Sequence, residues 1–564
     1  MIEEKSGTQR SAEKAQSYTE KSLHNVTLLP LHPFTRSPLL WLIVVSLLLL
    51  SCQLVTNSPQ LLQNQAEIDR DDAIFLLGGQ PRTLDPAKTL GGPDGPLGHI
   101  FSGLVMLDAD LQVQPELAAG WEVSEDGRIY TFYLRQNVLF HDGRPFTAQD
   151  VIFSWERAAN PDTGSDTVQT YLGDIAGIQA VIDGDAKQIS GLRAIDDYTL
   201  EVQLTAPVVY FLQKLAYPVA FVVDSETVDT RNWEYAPNGT GPFKLQTWVD
   251  DEEIILVRND SYYLEPARVR HVVYDLGPGL ALSQYENGEI DLVGVGGANL
   301  DRVEDPNNEL HDQLALGVSL CTSTIGLNTQ IAPFDDVRVR QAFNYALDKE
   351  LLIETFSGGD ALVATGSLPP GIPGYTSDPT RGYPFDPARA NQLLDEAGYA
   401  DRSSFPVVTY TTSGYGDVGG YVTAVISLWQ DVLGVTIQPV VVDPFIYYDE
   451  LYAGNTGNIY QSGWCADYPD PQNFLDILYH GDSPQNIGRY VNLEVDALLE
   501  QARIEEDVPT RLAQYAEIER RIVADAPVVF VSHDLQAALV SPDLDGYVLP
   551  PLGVRQWHRV AVNR

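Results

Sequence analysis

The sequence predicts a mixed α/β protein built from two or more lobes. The chain has 564 residues, and a single hydrophobic core stops growing near about 250–300 residues. Hydrophobic residues make up 44% of the chain and charged residues 20%, which is typical of a folded globular protein rather than a disordered one. Segments with strand periodicity alternate irregularly with segments of helical periodicity, a mixture typical of α/β or α+β folds.

The N-terminal segment, residues 1–51, predicts export. Residues 38–51 (PLLWLIVVSLLLLS) are uncharged and apolar, too short to span a membrane comfortably but right for the apolar region of a signal peptide. The sequence L-L-S-C ending at Cys52 resembles a bacterial lipobox, whose cysteine is acylated and becomes the first mature residue. The alternatives are an uncleaved anchor helix or a plain secretory signal. The long stretch before the apolar run alternatively indicates a start codon assigned too early.

This interpretation places the protein outside the cytoplasm. We expect it to be lipid-anchored to the cell membrane, in the periplasmic space or at the outer face of the cytoplasmic membrane. Residues 52–72 are polar and lack strand alternation, so they are predicted to form a tether between the lipid anchor and the first strand.

Strands and helices follow from residue 73 onward. Apolar or period-two runs predict strands, and an N-cap residue before helical spacing predicts a helix. The helix after Asp336 is supported by apolar residues at i, i+3, i+4 and i+7. The predicted strands are residues 73–77, 128–134, 198–204 and 253–258; the predicted helices follow Thr147 (with Asp150 as its capping-box partner), Asp336 (with Val339, Ala342, Phe343 and Ala346 apolar) and Asp386, the last ending at Gly398.

The charge and the absence of enzyme motifs exclude several classes of function. A formal net charge of −43 repels nucleic acid and anionic lipid. No nucleophile elbow, zincin or P-loop motif occurs, and the nine histidines are scattered. His141 lies in an F-H-D-G turn and is predicted to structure it rather than catalyse. The acidic run 301–312 lacks the spacing of an EF-hand. We therefore expect no catalytic activity, no metal and no cofactor.

The segment 463–470 (GWCADYPD) is the strongest candidate for a binding site. Asp467 lies among aromatic and apolar residues, and a low local dielectric strengthens the pairing of a carboxylate with an ammonium. An ordinary loop with a solvated aspartate is the alternative. The preceding aromatic residues Phe445, Tyr447 and Tyr448 are predicted either to pack in the core or to line a cleft.

Several further blocks carry a family resemblance. Together with residues 463–470 they stand in the order found in the family 5 extracellular solute-binding proteins, the lipoproteins that feed oligopeptide and dipeptide ABC importers. Residues 73–564 as a whole resemble that family. The blocks are 83–86 (TLDP), 101–104 (FSGL) followed by 115–118 (PELA) and Trp121, 140–151 (FHDGRPFTAQDV), 239–243 (GTGPF), 288–291 (GEID) and 333–342 (PFDDVRVRQA).

The resemblance implies a two-lobed clam-shell of the class II-like periplasmic binding proteins, in the large peptide-binding cluster with an extra subdomain in lobe I. Lobe I would comprise residues 70–325 completed by 536–564, and lobe II residues 326–535. Two chain crossings would form the hinge. The protein would be a monomer that captures peptides between the lobes and delivers them to the permease subunits of an ABC importer.

The resemblance also implies the ligand-binding residues. Asp467 would bind the α-ammonium of a peptide, and main-chain groups would run along the peptide backbone. The carboxylate-binding residue is in doubt, because Gln461 stands where oligopeptide binders often have an arginine, and glutamine brings hydrogen bonds without charge. The predicted ligand-binding set is Asp467, Trp464, Cys465, Gly463, Tyr468, Gln461, Gly91 and Gly92.

Cys321 and Cys465 are the cysteines other than Cys52. In an exported protein two such cysteines form a disulfide most simply, with two buried free thiols as the alternative. The oligopeptide-binding branch of the family carries a disulfide at these two places, so the resemblance implies the bond.

Two rival functions remain open from the sequence. The first is binding of another solute, such as an oligosaccharide, an opine-like compound or a metal complex, since some family members bind nickel complexes. The second is a secreted hydrolase whose acid pair would be Asp467 and Asp470.

Overall fold

The structure is a computed structural model that describes residues 68–90, 95–357, 360–378, 381–553 and 556–564. Residues 69–564 form one compact unit. The predicted signal segment, the lipidation site Cys52 and most of the predicted tether lie outside the described residues, as do Gly91 and Gly92. Among the described helices, none has both the length and the apolar character needed to cross a membrane.

Helices and strands alternate irregularly, which confirms the predicted mixed α/β class. The strands are β1 (Ala73–Leu77), β2 (Val105–Leu107), β3 (Val113–Pro115), β4 (Ala118–Val123), β5 (Ile129–Leu134), β6 (Leu192–Asp196), β7 (Thr199–Gln203), β8 (Phe243–Val249), β9 (Glu253–Arg258), β10 (His271–Asp275), β11 (Leu292–Gly294), β12 (Leu314–Leu327), β13 (Ala361–Val363), β14 (Val408–Ser413), β15 (Ile437–Val442), β16 (Ile459–Cys465), β17 (Val528–Val540), β18 (Leu544–Asp545) and β19 (Ala561–Val562).

The helices vary from single turns to the long C-terminal α15. They are α1 (Leu97–Ile100), α2 (Ala148–Ala159), α3 (Val168–Leu172), α4 (Ile178–Ile182), α5 (Phe211–Lys214), α6 (Ala281–Glu286), α7 (Ala298–Glu304), α8 (Val337–Tyr345), α9 (Lys349–Phe356), α10 (Pro387–Glu396), α11 (Gly420–Leu433), α12 (Tyr447–Tyr452), α13 (Gln472–Tyr479), α14 (Leu493–Arg503) and α15 (Val508–Asp525).

One mixed sheet runs through the molecule. Its strand order is β15-β14-β16-β12-β17-β11-β1-β10-β9-β8, and β13 pairs with β17. The long antiparallel strands β12 and β17 lie at the centre, so strands from the two ends of the sheet are joined through them. Their register shifts between Val318 and Thr322 and again between Ser323 and Thr324. Regular pairing between the two strands is therefore interrupted near the middle of β12.

The main sheet carries separate hydrophobic cores on its two ends. The core around β1, β9 and β10 draws its residues from 74–292 and from 538–560, including the buried Trp557. The core around β14 and β15 draws its residues from 325–459 together with Val529 and Val531. The C-terminal segment after β17 therefore returns to the core that the N-terminal half of the chain builds.

A separate four-stranded antiparallel sheet, β4-β5-β7-β6, forms an additional layer. Helix α2 packs on this sheet through an apolar face that includes the fully buried Trp155, whose indole N–H donates to the carbonyl of Ala220 (2.9 Å). Thr147 and Asp150 form the predicted capping box at the start of α2. The cap satisfies backbone N–H groups that the first turn of the helix leaves without an intrahelical partner.

Most of the local predictions are confirmed. Strand β9 has the predicted bounds, and β5 and β7 are shorter than predicted by one or two residues. The Asp336 carboxylate accepts from the N–H of Arg338, and the Asp386 carboxylate accepts from the N–H of Arg389. Helix α8 ends at Tyr345, so the predicted apolar position Ala346 lies just beyond it, although Ala346 is fully buried.

His141 helps to hold the turn formed by residues 239–243. Its Nε2 lies 3.1 Å from the carbonyl oxygen of Gly241, and the N–H of Gly239 donates to its Nδ1 (3.4 Å). A Cβ atom at Gly239 would come within 2.0 Å of the carbonyl oxygen of Ile100, so the turn requires glycine there. Burial lowers the pKa of His141 to about 4. The ring is therefore neutral at physiological pH, and it stabilises the turn through its hydrogen bonds.

Candidate ligand-binding site

A cavity of about 1140 Å³ opens beside the segment 463–470. Its volume lies just above the range of about 300–1,000 Å³ that is typical of small-ligand sites. One wall is formed by α3 and Tyr217, and another by β16 and the segment 484–490. The middle of β12 closes it between them through Cys321, Thr322, Ser323 and Thr324.

The structure brings four of the predicted ligand-binding residues to this cavity, namely Gly463, Trp464, Cys465 and Asp467. Gln461 is not among the described cavity-lining residues. Its side-chain oxygen accepts a hydrogen bond from the hydroxyl of Thr412 (3.1 Å). The position that the family resemblance marks for carboxylate binding is thus occupied by a neutral amide that already has a partner.

Tyr468 also lies away from the described cavity wall. It is fully buried and its ring stacks on that of Tyr210, with centroids 6.0 Å apart and an interplanar angle of 5°. Its hydroxyl donates to the side-chain oxygen of Gln472. Tyr468 therefore packs the segment 463–470 against the core around the four-stranded sheet.

The backbone of β16 presents a free edge beside the cavity. The N–H of Ala466 donates to the carbonyl of Leu320 on β12 (2.8 Å). Because hydrogen-bonded and non-hydrogen-bonded pairs alternate in an antiparallel ladder, the polar groups of Gly463 and Cys465 point away from β12. On that other side, β14 pairs with β16 only as far as Tyr460. Gly463 and Cys465 are both exposed, so an extended segment has room to pair with them.

Asp467 is a half-buried carboxylate on the cavity wall. Its Oδ2 accepts from the side-chain amide of Asn473 (3.4 Å), and the hydroxyl of Tyr171 also donates to it. Burial raises the pKa of Asp467 to about 6, with no cation of the described residues opposing it. A cation arriving in the cavity would favour the ionised form and lower this pKa again.

Asn473 positions the segment and was not predicted from the sequence. It is fully buried in the first turn of α13. Its side-chain oxygen accepts both the indole N–H of Trp464 (3.1 Å) and the backbone N–H of Asp467 (3.0 Å). An asparagine six residues after an aspartate matches no motif, so the sequence offers no signal for this role.

Aromatic rings form much of the cavity wall. Tyr171 and Tyr217 stack with centroids 3.7 Å apart and line the cavity together. Of the three aromatic residues predicted to act as one cluster, Tyr447 and Tyr448 stay in contact, with ring centroids 5.4 Å apart. Tyr447 is buried and donates to the carbonyl of Gln461 (2.7 Å), Tyr448 lines the cavity, and Phe445 is 82% exposed outside the described lining. Core packing therefore describes Tyr447, and lining a cleft describes Tyr448.

Asp470 does not pair with Asp467 to form an acid pair. Its two carboxylate oxygens accept from Arg511, with Nη1–Oδ2 at 2.8 Å and Nη2–Oδ1 at 2.5 Å, and Asp470 is not among the described cavity-lining residues. The guanidinium of Arg511 also lies over the ring of Tyr210. The acid pair on which the hydrolase alternative depends is therefore not formed.

The structure joins Cys321 and Cys465 in a disulfide. The two residues lie opposite each other in the β12–β16 ladder, with their Cα atoms 4.0 Å apart. Both line the cavity, so the bond ties the start of the segment 463–470 to β12. No group of three or more potential metal-ligating side chains occurs among the residues that the structure describes.

Comparison with known proteins finds one family. Residues 112–486 match the family model described as bacterial extracellular solute-binding proteins, family 5 Middle. The chain is 30% identical over 488 residues to the periplasmic oligopeptide-binding protein OppA of Escherichia coli K12, covering 83% of this chain and 88% of that protein.

Solved structures give the same result. The chain is similar to the murein tripeptide binding protein MppA of Escherichia coli, with a TM-score of 0.76, 28% identity, and coverage of 88% of this chain and 99% of that one. It is also similar to the periplasmic binding protein DppA of Helicobacter pylori in complex with the peptide STSA, with a TM-score of 0.73, 26% identity, and coverage of 87% and 98%.

Proposed function

The chain belongs to the family 5 bacterial extracellular solute-binding proteins and has their two-lobed α/β clam-shell fold; from this we propose that it captures peptides in the cavity beside Asp467 and delivers them to an ABC importer, without catalysing a reaction. The observation that carries the proposal is the pairing of two features at one cavity. Asp467 is a carboxylate without a described cation, and no strand in the described part of the chain pairs with the adjacent edge of β16 beyond Tyr460.

Asp467 is suited to an ammonium group. Tyr171 and Asn473 donate hydrogen bonds to its carboxylate and hold its orientation, but both are neutral. An α-ammonium would supply the missing charge, and a hydrogen bond between charged groups contributes about 1.5–3 kcal/mol. The other proposed contacts are with the polar main-chain groups of Gly463 and Cys465, which would add the peptide as a further strand. Such pairing depends on the peptide backbone and leaves the side chains free to vary.

We propose lobe bounds of 70–325 plus 536–564 for lobe I and 326–535 for lobe II, with the hinge in β12 and β17. The separate cores at the two ends of the main sheet support this division. The register shift between Val318 and Thr322 marks a place where the paired strands can bend. Tyr171 then lies on lobe I and Asp467 on lobe II, so their hydrogen bond would form when the lobes close around a ligand.

The proposal for the cellular setting rests on the sequence and the family. Acylation of Cys52 would anchor a monomeric protein at the membrane surface, where it would dock on the permease. Metabolic labelling with a fatty-acid probe should mark the wild type and fail to mark Cys52→Ser. Equal labelling of both proteins would exclude acylation at this residue.

The decisive experiment identifies the ligand and tests Asp467 together. Mass spectrometry should find peptides co-purified with the mature protein. Titration calorimetry should then compare a library of short peptides with free N-termini and the same library N-acetylated. We expect N-acetylation and Asp467→Asn each to weaken binding about 10- to 150-fold, and the two changes together to cost little more than either alone.

Two results would contradict this proposal. Additive losses in the double-mutant cycle would show that Asp467 does not contact the ammonium. Co-purification of a sugar, an opine-like compound or a metal complex, with no response to peptides, would show that the solute belongs to another class.

A further inference from the structure

Acidic side chains outnumber basic ones among the described residues that line the cavity. The described lining residues with ionised side chains are four aspartates and one arginine, namely Asp166, Asp449, Asp467, Asp534 and Arg489. Four carboxylates in one cavity repel an anion, yet a peptide with a free C-terminus carries one. Resting on the proposed function, we propose that Arg489 binds a carboxylate of the peptide ligand and so makes the cavity selective for zwitterionic peptides.

The backbone of Arg489 is held firmly in an unfavourable conformation. Its φ is 55°, in the left-handed region that favours glycine. Its carbonyl accepts from the hydroxyl of Thr329 (2.9 Å) and from the amide of Gln330 (3.1 Å), and its N–H donates to the carbonyl of Asn486 (3.1 Å). Left-handed non-glycine residues that the surrounding structure holds in place concentrate at ligand-binding positions.

The side chain of Arg489 has no partner among the described residues. It is exposed and lines the cavity, and within the described part of the chain it makes no ion pair and donates no hydrogen bond. Its Nη2 lies beside Gly454, where even a Cβ atom would approach it to 3.5 Å. Two buried arginines differ from it, because Arg157 and Arg511 are each bound by two oxygens of one aspartate.

A guanidinium is well matched to this task. Its planar arrangement of N–H donors binds both oxygens of a carboxylate at once, and it stays charged at every physiological pH. Gln461 offers no such group, since its amide is neutral and hydrogen-bonded to Thr412. Arg489 and Asp467 thus present opposite charges, neither of them paired with a described ion, on the wall of the same cavity. That arrangement complements a ligand carrying both an ammonium and a carboxylate.

The test compares three forms of one library of short peptides by titration calorimetry. The forms are the free acids, the C-terminal amides, and amides that end in glutamate and so carry the carboxylate on a side chain. The variants are Arg489→Gln, Arg489→Asn, which tolerates the left-handed conformation, and the matched surface control Arg520→Gln. Arg520 is exposed on α15 and pairs with Glu517.

We expect the wild type and the Arg520→Gln control to prefer the free acids over the plain amides by about 10- to 150-fold. Both Arg489 variants should lose this preference by weakening their binding of the free acids. Thermal unfolding verifies that each variant is folded. If Arg489→Gln unfolds, Arg489→Asn carries the test, since we expect it to melt at or above the wild-type temperature.

The remaining outcomes separate the possible failures. Binding of the glutamate-ending amides by the wild type but not by the Arg489 variants would assign Arg489 to a side-chain carboxylate. A preference for free acids that survives in both variants, or an equal affinity of the wild type for all three forms of the library, would overturn the role of Arg489 and leave peptide capture intact. A wild type that binds no peptide in any form would overturn the proposed function and this inference with it.

Discussion

Asp467 and Asp470 lie three residues apart in one segment and have opposite surroundings. Asp467 faces the cavity, and among the described residues it receives hydrogen bonds only from the neutral groups of Tyr171 and Asn473. Asp470 is buried, and both of its oxygens are bound by Arg511. The comparison shows that one carboxylate of the segment forms an ion pair with Arg511, while the other has no cation among the described residues as a partner.

The physical difference lies in the charge of the partners. A buried carboxylate beside a guanidinium keeps its charge and contributes to a fixed geometry. A half-buried carboxylate that has only neutral donors is poorly solvated, and its pKa rises to about 6. An incoming cation therefore stabilises Asp467 by more than it would stabilise a solvated aspartate. The ion pair of Asp470 with Arg511 stabilises the folded loop. The unpaired charge of Asp467 can instead contribute to the binding of a cation.

The largest expected effect is on stability. Asp470→Asn should lower the free energy of unfolding by about 3–5 kcal/mol, because it leaves the charge of Arg511 buried without a partner. Asp467→Asn is the matched control at pH 7. The pKa of Asp467 is higher in the folded state than in the unfolded chain, so its ionisation lowers the stability of the fold as the pH rises from 3.8 to about 6, and the full loss is present at pH 7. We therefore expect Asp467→Asn to unfold at the same denaturant concentration as the wild type or a higher one.

Urea unfolding followed by circular dichroism measures both variants. The ligand must first be removed, because a bound ligand would stabilise each variant by a different amount. A larger loss of stability for Asp467→Asn than for Asp470→Asn would contradict the assigned roles.

A smaller loss of stability is expected from a substitution at Asn473, which hydrogen-bonds both Trp464 and Asp467. Asn473→Ala removes the acceptor of the Trp464 indole and of the Asp467 backbone N–H. Leaving buried donors unpaired costs about 1–3 kcal/mol. We expect a moderate loss of stability together with weaker peptide binding, since Asp467 loses its fixed orientation. Stability measured by urea unfolding and affinity measured by calorimetry should fall together. A loss of stability with unchanged affinity would show that Asn473 does not position Asp467.

The smallest expected effect is a pH dependence of binding. Only the ionised form of Asp467 binds an ammonium, and its pKa without ligand is about 6. Affinity should therefore be constant between this pH and about pH 7.7, where the α-ammonium of the peptide begins to lose its proton, and it should fall as the pH is lowered through the pKa of Asp467, approaching about tenfold per unit. Asp467→Asn should remove this dependence. The difference between the two calorimetric profiles isolates Asp467 from the other carboxylates, and identical profiles would exclude it as the titrating group.

The local features of the fold were predictable because they depend on neighbouring residues. The caps at Thr147, Asp336 and Asp386 and the strand at residues 253–258 follow from short-range hydrogen bonding and period-two patterns. The blocks of residues that resemble the family were sufficient to indicate the two-lobed fold. Asp467 was predictable from its own segment, because its aromatic neighbours Trp464 and Tyr468 stand within three positions of it in the chain.

The roles of the residues around Asp467 were decided only by the tertiary structure. Tyr171 and Asn473 reach one carboxylate from different parts of the chain, and Arg511 binds Asp470 from α15. Gln461 and Tyr468 belong to the same segment but lie outside the described cavity lining, while Arg489 lies on it. The sequence determined which residue types were present and which elements they form. Burial and charge pairing depend on side chains that converge from distant positions, so only the folded chain determined which charges are neutralised and which remain for a ligand.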